Sequence, residues 1–148
     1  KTPIGLASFL GGLSSIVFIL VSQPVTAGCP CNYTPVTLIK VISADTLLLD
    51  VADVEETVKI AGISVPRLES RSESGDAWCE NEGEKAIQAQ NYARQLLSKA
   101  SEIAIVEQER LASGILLASV YIDNVNFGQE LLYKYLAVES GETTNWCP

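Results

Sequence analysis

The order of periodic segments constrains the fold of this chain more than any other feature of its sequence. Three strand-like segments come first, followed by a helix, two more strands and a second helix. β-Branched residues and alternation of apolar with polar positions predict the strands, and apolar positions that recur every three or four residues predict the helices. The predicted strands are 36–43, 46–51, 56–65, 102–107 and 115–122, and the predicted helices are 83–100 and 127–138.

Two short motifs lie on the first three predicted strands. Val41–Leu49 reads V-I-S-A-D-T-L-L-L, and Val58–Arg67 reads V-K-I-A-G-I-S-V-P-R. Together they resemble the staphylococcal nuclease-like (thermonuclease) family, whose two segments read V-x-D-G-D-T-hydrophobic and hydrophobic-R-L-x-G-I-D-T-P-E. The resemblance covers about residues 36–138. It implies an α+β fold, an OB-fold β-barrel of five strands with two packed helices.

The resemblance also implies which positions would carry nuclease chemistry. Members of the family hold Ca²⁺ with carboxylates, use a glutamate as general base and bind phosphate with two arginines. The metal ligand of the first motif corresponds to Asp45, which is present. At the other positions of the set, Lys59 replaces the first arginine, Ser64 the second metal carboxylate, Arg67 the base and Ile115 the second arginine.

These replacements remove most of the reactive groups. A serine hydroxyl at Ser64 is a poor Ca²⁺ ligand, and Arg67 reverses the charge of the base, so we expect no catalytic residue, no metal site and no cofactor. Glu69 is an alternative base, but two residues along an extended chain displace a side chain by roughly 6–7 Å, beyond hydrogen-bond reach. Asp45 is then expected to cap its own turn, and Lys59 to be a solvated strand residue.

The N-terminal segment is apolar. Residues 2–39 carry no charged side chain, and residues 4–22 are a mostly apolar run of about the length that crosses a ~30 Å hydrocarbon core as a helix. The predicted organisation is a transmembrane helix at 1–23, a linker at 24–35, the barrel domain at 36–139 and an irregular tail at 140–148. The alternatives are a signal peptide cleaved after Ala27 and a lipid anchor on Cys29.

The charge of the chain bears on its partners and its location. With 10 basic and 18 acidic side chains, the net charge is −8, which opposes nucleic-acid binding because that affinity comes largely from Lys and Arg contacts to phosphate. Lys1 is the only charge before the predicted helix. Because positive residues favour the cytoplasmic, stromal or matrix side, we expect the domain on the opposite (trans) side: thylakoid lumen, periplasm or intermembrane space.

The four cysteines are candidates for disulfides. They are Cys29, Cys31, Cys79 and Cys147. The chain has no C-x-x-C pair and no histidine, so a zinc site is not expected, whereas an even number in a trans-side domain favours disulfides. A Cys79–Cys147 bridge would tie the loop after the third strand to the C-terminus. Crossed pairings with Cys29 and Cys31, and free cysteines, stay open as alternatives.

These observations favour a structural function. We expect a non-catalytic, membrane-anchored accessory or scaffold subunit of a larger membrane protein complex, whose N-terminal helix and acidic domain contact the bilayer and other subunits. One alternative is a secreted or anchored Ca²⁺-dependent nuclease with a drifted site. Another is a module that binds a peptide on the barrel face. Trp78 and Trp146 are candidates for partner contact, or for packing beside their neighbouring cysteines.

Overall fold

The computed structural model describes residues 32–72, 75–142 and 144–147. The elements in chain order are β1 (Thr34–Ser43), β2 (Thr46–Val51), β3 (Val54–Ile60), β4 (Ile63–Ser64), α1 (Glu80–Lys99), β5 (Ile103–Arg110), β6 (Leu116–Ile122), β7 (Val125–Asn126), α2 (Phe127–Tyr133) and β8 (Val138–Glu139). Neither of these two helices has the length and apolar character to cross a bilayer. The predicted transmembrane helix, Cys29 and Cys31 lie outside the described residues.

Five strands close into a barrel. Their order is β3-β2-β1-β5-β6, and a parallel pairing of β3 with β6 completes the ring. The β2–β3 and β6–β7 hairpins turn on two left-handed residues each, Ala52-Asp53 and Asp123-Asn124, the geometry that matches the twist of paired strands. This confirms the predicted α+β class, with a five-stranded barrel and two helices, and the barrel is compatible with an OB-fold.

The core fills the barrel and the space under both helices. The largest fully buried side chains are Phe127, Leu47, Leu49, Ile60, Ile105, Leu116, Leu131, Val58 and Val120. The predicted apolar face of α1 is confirmed, because Ala86, Ala89, Ala93 and Leu97 are buried. These small side chains let the helix lie close to the sheet, and burying apolar area at about 25 cal/mol per Å² is the main source of stability in such a core.

The third strand is shorter than predicted. Strand β3 ends at Ile60, whereas the alternation of apolar and polar positions predicted a strand to Val65. Gly62 adopts φ +80°, a left-handed conformation that glycine tolerates because it lacks Cβ. The resulting turn directs Ile63–Ser64 away from the barrel, where it pairs with Val138–Glu139.

Other boundaries differ by two or three residues from the predicted ones. β1 begins at Thr34, β3 at Val54 and α1 at Glu80, and β5 ends at Arg110. The turn between the second and third predicted strands, 52–55, is therefore confined to Ala52-Asp53. The last two residues of the predicted linker, 34 and 35, belong to β1. The described part of the tail, 140–142 and 144–147, is irregular as predicted.

The second helix is also shorter than predicted, ending at Tyr133 rather than 138. Tyr135 adopts φ +56°, so the helix cannot continue through it. The Leu136 N–H donates to the Leu131 carbonyl at 2.9 Å and the Tyr135 N–H to the Leu132 carbonyl at 3.0 Å, the two bonds of a Schellman cap. The three- and four-residue periodicity over 127–138 predicts Tyr135 on the apolar face together with Leu131, Leu132 and Leu136, but Tyr135 is 80% exposed.

The cap residue gives a first testable expectation. Tyr135→Gly should raise the free energy of unfolding by about 0.5–1 kcal/mol. Glycine removes the ~1–2 kcal/mol strain of the left-handed backbone, but part of this gain is lost because glycine increases the conformational entropy of the unfolded chain. Tyr133→Gly is the matched control, since it lies inside the helix and should destabilise by about 1 kcal/mol. Urea unfolding measures both, and a destabilised Tyr135→Gly protein would contradict this account of the cap.

Candidate functional site

A cleft of about 810 Å³ brings together most of the positions singled out by the two motifs. Asp45, Lys59, Ser64 and Arg67 all line it, and we call it the motif cleft. The fifth position, Ile115, is not among the lining residues. It lies in the turn before β6, where its carbonyl accepts a 2.9 Å hydrogen bond from the Leu111 N–H.

Asp45 occupies the turn between β1 and β2 and is only 7% exposed. Its Oδ1 accepts hydrogen bonds from the Ser43 hydroxyl at 2.8 Å and the Thr46 hydroxyl at 3.0 Å, and its Oδ2 lies 3.7 Å from Lys59 Nζ. These partners are neighbouring side chains rather than the backbone of its own turn, which corrects the capping expected from the sequence. The carboxylate is held in place by local groups before any ligand arrives.

Arg67 occupies the position that the sequence resemblance assigns to the general base, and each of its three guanidinium nitrogens donates a hydrogen bond to a carboxylate. Its Nε and Nη2 donate to the two oxygens of Glu82 at 3.0 and 3.2 Å, and its Nη1 donates to Asp76 Oδ1. The Arg67 backbone N–H adds a 2.9 Å bond to Glu82 Oε1. The Glu82 side chain, in the first turn of α1, is 6% exposed. Two carboxylates therefore neutralise the cation from the side of the helix and the loop.

The loop between Arg67 and α1 is tied together by the same network. Asp76 Oδ2 accepts from the Ser70 hydroxyl at 2.9 Å and from the Arg71 N–H at 2.6 Å. The Trp78 indole N–H donates to the Arg67 carbonyl at 3.0 Å. Its ring edge lies so close to Gly83 that a Cβ there would meet it at 2.8 Å. The network thus fastens this loop to the start of α1.

The charges of the network shift two pKa values. Hydrogen bonds from Arg67 to Glu82, and then to Asp76, raise the pKa of Arg67 above its ordinary value. The hydrogen bond from Arg67 lowers the pKa of Asp76 from 3.8 to about 2. Both shifts favour the charged forms, so the ion pairs persist at neutral pH.

The lowered pKa of Asp76 predicts an acid-sensitive contribution to stability. Because the folded pKa of about 2 lies below the ordinary 3.8, the contribution is present above about pH 4 and is lost as pH falls through the folded value. The difference in unfolding free energy between wild type and Asp76→Asn should therefore be largest near neutral pH and shrink between pH 4 and 2. Asp53→Asn, on an exposed turn, is the control. A wild-type advantage over Asp76→Asn that does not change across this window would contradict the expectation.

A disulfide joins the C-terminal tail to the start of α1. Cys79, the residue before the helix, is bonded to Cys147 with the two Cα atoms 6.0 Å apart, which confirms the predicted pairing. The tail forms one wall of the motif cleft through Asn145, Trp146 and Cys147. Lys85 Nζ lies 5.7 Å from the centre of the Trp146 ring, within cation–π range. Each tryptophan therefore has partners within this chain, Trp78 at Gly83 and the Arg67 carbonyl and Trp146 at Lys85.

The sequence did not indicate Glu82 or Asp76 as partners of Arg67, because they follow it by 15 and 9 residues in a polar stretch without periodicity. The rejected alternative base, Glu69, does line the cleft, with an exposed side chain. In the described ranges, no three His, Cys, Asp or Glu side chains are grouped closely enough to hold a metal ion. Asp45 is the one motif carboxylate that the cleft retains.

Comparison with known proteins adds no identification: no protein-family model matches the chain and no curated protein matches it significantly. The resemblance to nuclease-like proteins therefore stays a prediction. What the cleft can do chemically follows from its geometry. It offers hydroxyls, the fixed carboxylate of Asp45 and the exposed carboxylate of Glu69. Its accessible cations are the exposed Arg71 and the 45% exposed Lys59.

Proposed function

We propose that this chain is a non-catalytic, membrane-anchored accessory subunit, whose barrel docks on other subunits of a membrane protein complex. The observation that supports the proposal is the pairing of the charged side chains at the motif positions, because Lys59 lies beside Asp45 and Arg67 is bound by Glu82 and Asp76. Hydrolysis of a phosphodiester needs a base and a metal or fixed cations free to meet the phosphate. At the corresponding positions the cleft has Arg67, bound to two carboxylates, and Ser64, which carries no charge.

The state of the other polar groups agrees with a structural role. Among residues 32–72, 75–142 and 144–147, no buried side-chain nitrogen or oxygen lacks a hydrogen-bond partner. Buried polar groups that are all paired stiffen a fold. The Cys79–Cys147 disulfide favours an oxidising compartment, in keeping with a domain on the trans side of the membrane.

Native mass spectrometry of gently solubilised membranes, with subunit identification, tests this function. We expect the chain at fixed stoichiometry within a large assembly that survives mild detergent. A chain that runs alone as a monomer under the same conditions would overturn the proposal.

A Ca²⁺-dependent nuclease with a drifted site is the second candidate. It is favoured by the two carboxylates, Asp45 and Glu69, that line the same cleft. Its test is hydrolysis of single-stranded DNA by the purified full chain with Ca²⁺, compared with the chelated protein. Activity that is lost in both Asp45→Asn and Glu69→Gln would support the enzyme. Equal rates of hydrolysis in the wild type, Asp45→Asn and Glu69→Gln would show that these two residues take no part in the reaction.

A further inference from the structure

A second concave surface is lined by the end of α2, the segment that follows it and β8. Its volume is about 590 Å³, and its rim includes Glu130, Tyr133, Tyr135, Glu139 and Glu142. Its floor is formed by Leu132, Ala137 and Val138. We call it the α2–β8 groove. Its lining residues do not overlap with those of the motif cleft.

Both tyrosines of this groove are presented to solvent, and Tyr135 is held there at the expense of stability. Tyr133 and Tyr135 are each 80% exposed, and Tyr135 holds a left-handed backbone where glycine would be less strained. A strained residue that supports no packing of its own is a pointer to function. Tyrosine is also a residue type enriched at the energetic centres of protein interfaces.

The charge of the groove selects its occupant. Three glutamates line the groove: Glu130, Glu139 and Glu142. In the part of the chain that the structure describes, none of them forms an ion pair with a basic side chain. An anionic lipid surface or a nucleic acid would be repelled. A second copy of this chain, with a net charge of −8, would bring more negative charge.

We propose that the α2–β8 groove binds an arginine-containing basic segment of a partner protein. A guanidinium is planar, stacks on aromatic faces and pairs with carboxylates in a fixed fork, so Tyr133 and Tyr135 offer it stacking faces and the three glutamates offer it acceptors. Cation–π attraction favours the same cation at the same tyrosines. This inference rests on the proposed function, because it names the surface through which the accessory subunit would dock.

Binding of a defined probe tests the groove without knowledge of the partner. The probe is a labelled peptide with two arginines separated by glycine, its counterpart has glutamates instead, and binding to the full chain in mild non-ionic detergent is followed by fluorescence anisotropy. We expect the arginine peptide to bind and the glutamate peptide not to bind. Equal binding of the two peptides, or none of either, would overturn the proposal.

Two matched variants locate the binding. Glu130→Gln/Glu139→Gln/Glu142→Gln should raise the Kd for the arginine peptide about tenfold. The control, Glu55→Gln/Glu84→Gln/Glu109→Gln, changes the net charge equally at exposed sites away from the groove and should change the Kd less than about twofold. Equal weakening in both triple variants would mean that only net charge matters, and would overturn the proposal.

Tyr135→Gly separates binding from folding, because we expect this variant to be more stable than wild type. It should nevertheless weaken peptide binding several-fold. An unchanged Kd would overturn the role of the tyrosine.

Assembly of the wild-type chain and of the groove triple variant into a complex then shows which proposal fails, the accessory function or the groove. If the wild-type chain is found in a complex and the groove triple variant assembles just as well, the groove proposal fails and the accessory function stands. If the wild-type chain is found alone, the accessory function fails, and the peptide result decides the groove by itself.

Discussion

Arg67→Met is expected to lower the free energy of unfolding by about 3 kcal/mol. The change leaves Glu82, whose side chain is 6% exposed, without its two guanidinium bonds, and leaves Asp76 without its cation. Removing one partner of a buried ion pair costs about 3–5 kcal/mol, and the 29% exposure of Arg67 places the effect at the lower end of that range. Urea unfolding of the full chain measures it.

Arg110→Met is the matched control, because Arg110 also makes a two-bond pair with a carboxylate. It donates to Glu56 at 2.8 and 3.0 Å, but its side chain is 49% exposed. Exposed pairs contribute about 0–1 kcal/mol, so this variant should lose far less stability. Similar losses for the two variants would contradict the buried-network account.

A double variant sharpens the same test. Arg67→Met/Glu82→Gln removes both charges of the pair but keeps an amide oxygen that can accept the backbone N–H of residue 67. It should recover part of the stability lost in Arg67→Met, because the charge of Glu82 is then no longer buried without its partner. A double variant no more stable than Arg67→Met would show that the loss does not come from the stranded carboxylate.

The barrel was predictable because its strands carry strong local signals. Leu47 and Leu49 of β2 point to one face and are fully buried, so the alternation along the chain reports the fold directly. The β4–β8 pair carries no such signal. Two residues cannot establish a period, and the pair forms only because Gly62 turns the chain out of β3 and Tyr135 ends α2 early. Both causes are left-handed residues, which a periodicity analysis does not detect.

The site was predictable in its positions but not in its interactions. The motifs identified Asp45, Lys59, Ser64 and Arg67, and the fold brings all four to one cleft. No pattern in the sequence pairs Arg67 with Glu82, because that contact depends on how the loop folds back on α1. The pairing gives Arg67 a structural role at the position where the resemblance would place a base. A glutamate at 67 would put a third carboxylate beside Glu82 and Asp76, and like charges at such distances repel.

Removing the disulfide with Cys79→Ala/Cys147→Ala is expected to lower the free energy of unfolding by about 2 kcal/mol. The bridge spans 68 residues, and closing a loop of that length in the unfolded chain corresponds to about 4 kcal/mol. Beyond the bond itself, the end of the described tail contacts α1 through the Lys85–Trp146 cation–π pair. Such a contact is weak, so the end of the tail should leave α1 once the bond is absent. In the folded protein the bond then also closes a loop of about eight tail residues, which costs entropy there as well. The net stabilisation is the cost of closing the long loop in the unfolded chain minus the cost of closing the short loop in the folded protein, about 2 kcal/mol.

Truncation after Glu142 in the Cys79→Ala background tests whether the tail leaves. If the tail is held by the disulfide alone, the truncated chain and Cys79→Ala/Cys147→Ala should have the same stability, because neither has a docked tail. Trp146 fluorescence of the double variant should also shift to longer wavelength as the ring moves away from Lys85. A loss near 4 kcal/mol, with the truncated chain less stable still, would contradict this account. It would mean that the tail docks without the bond and that the whole loop entropy counts toward stability.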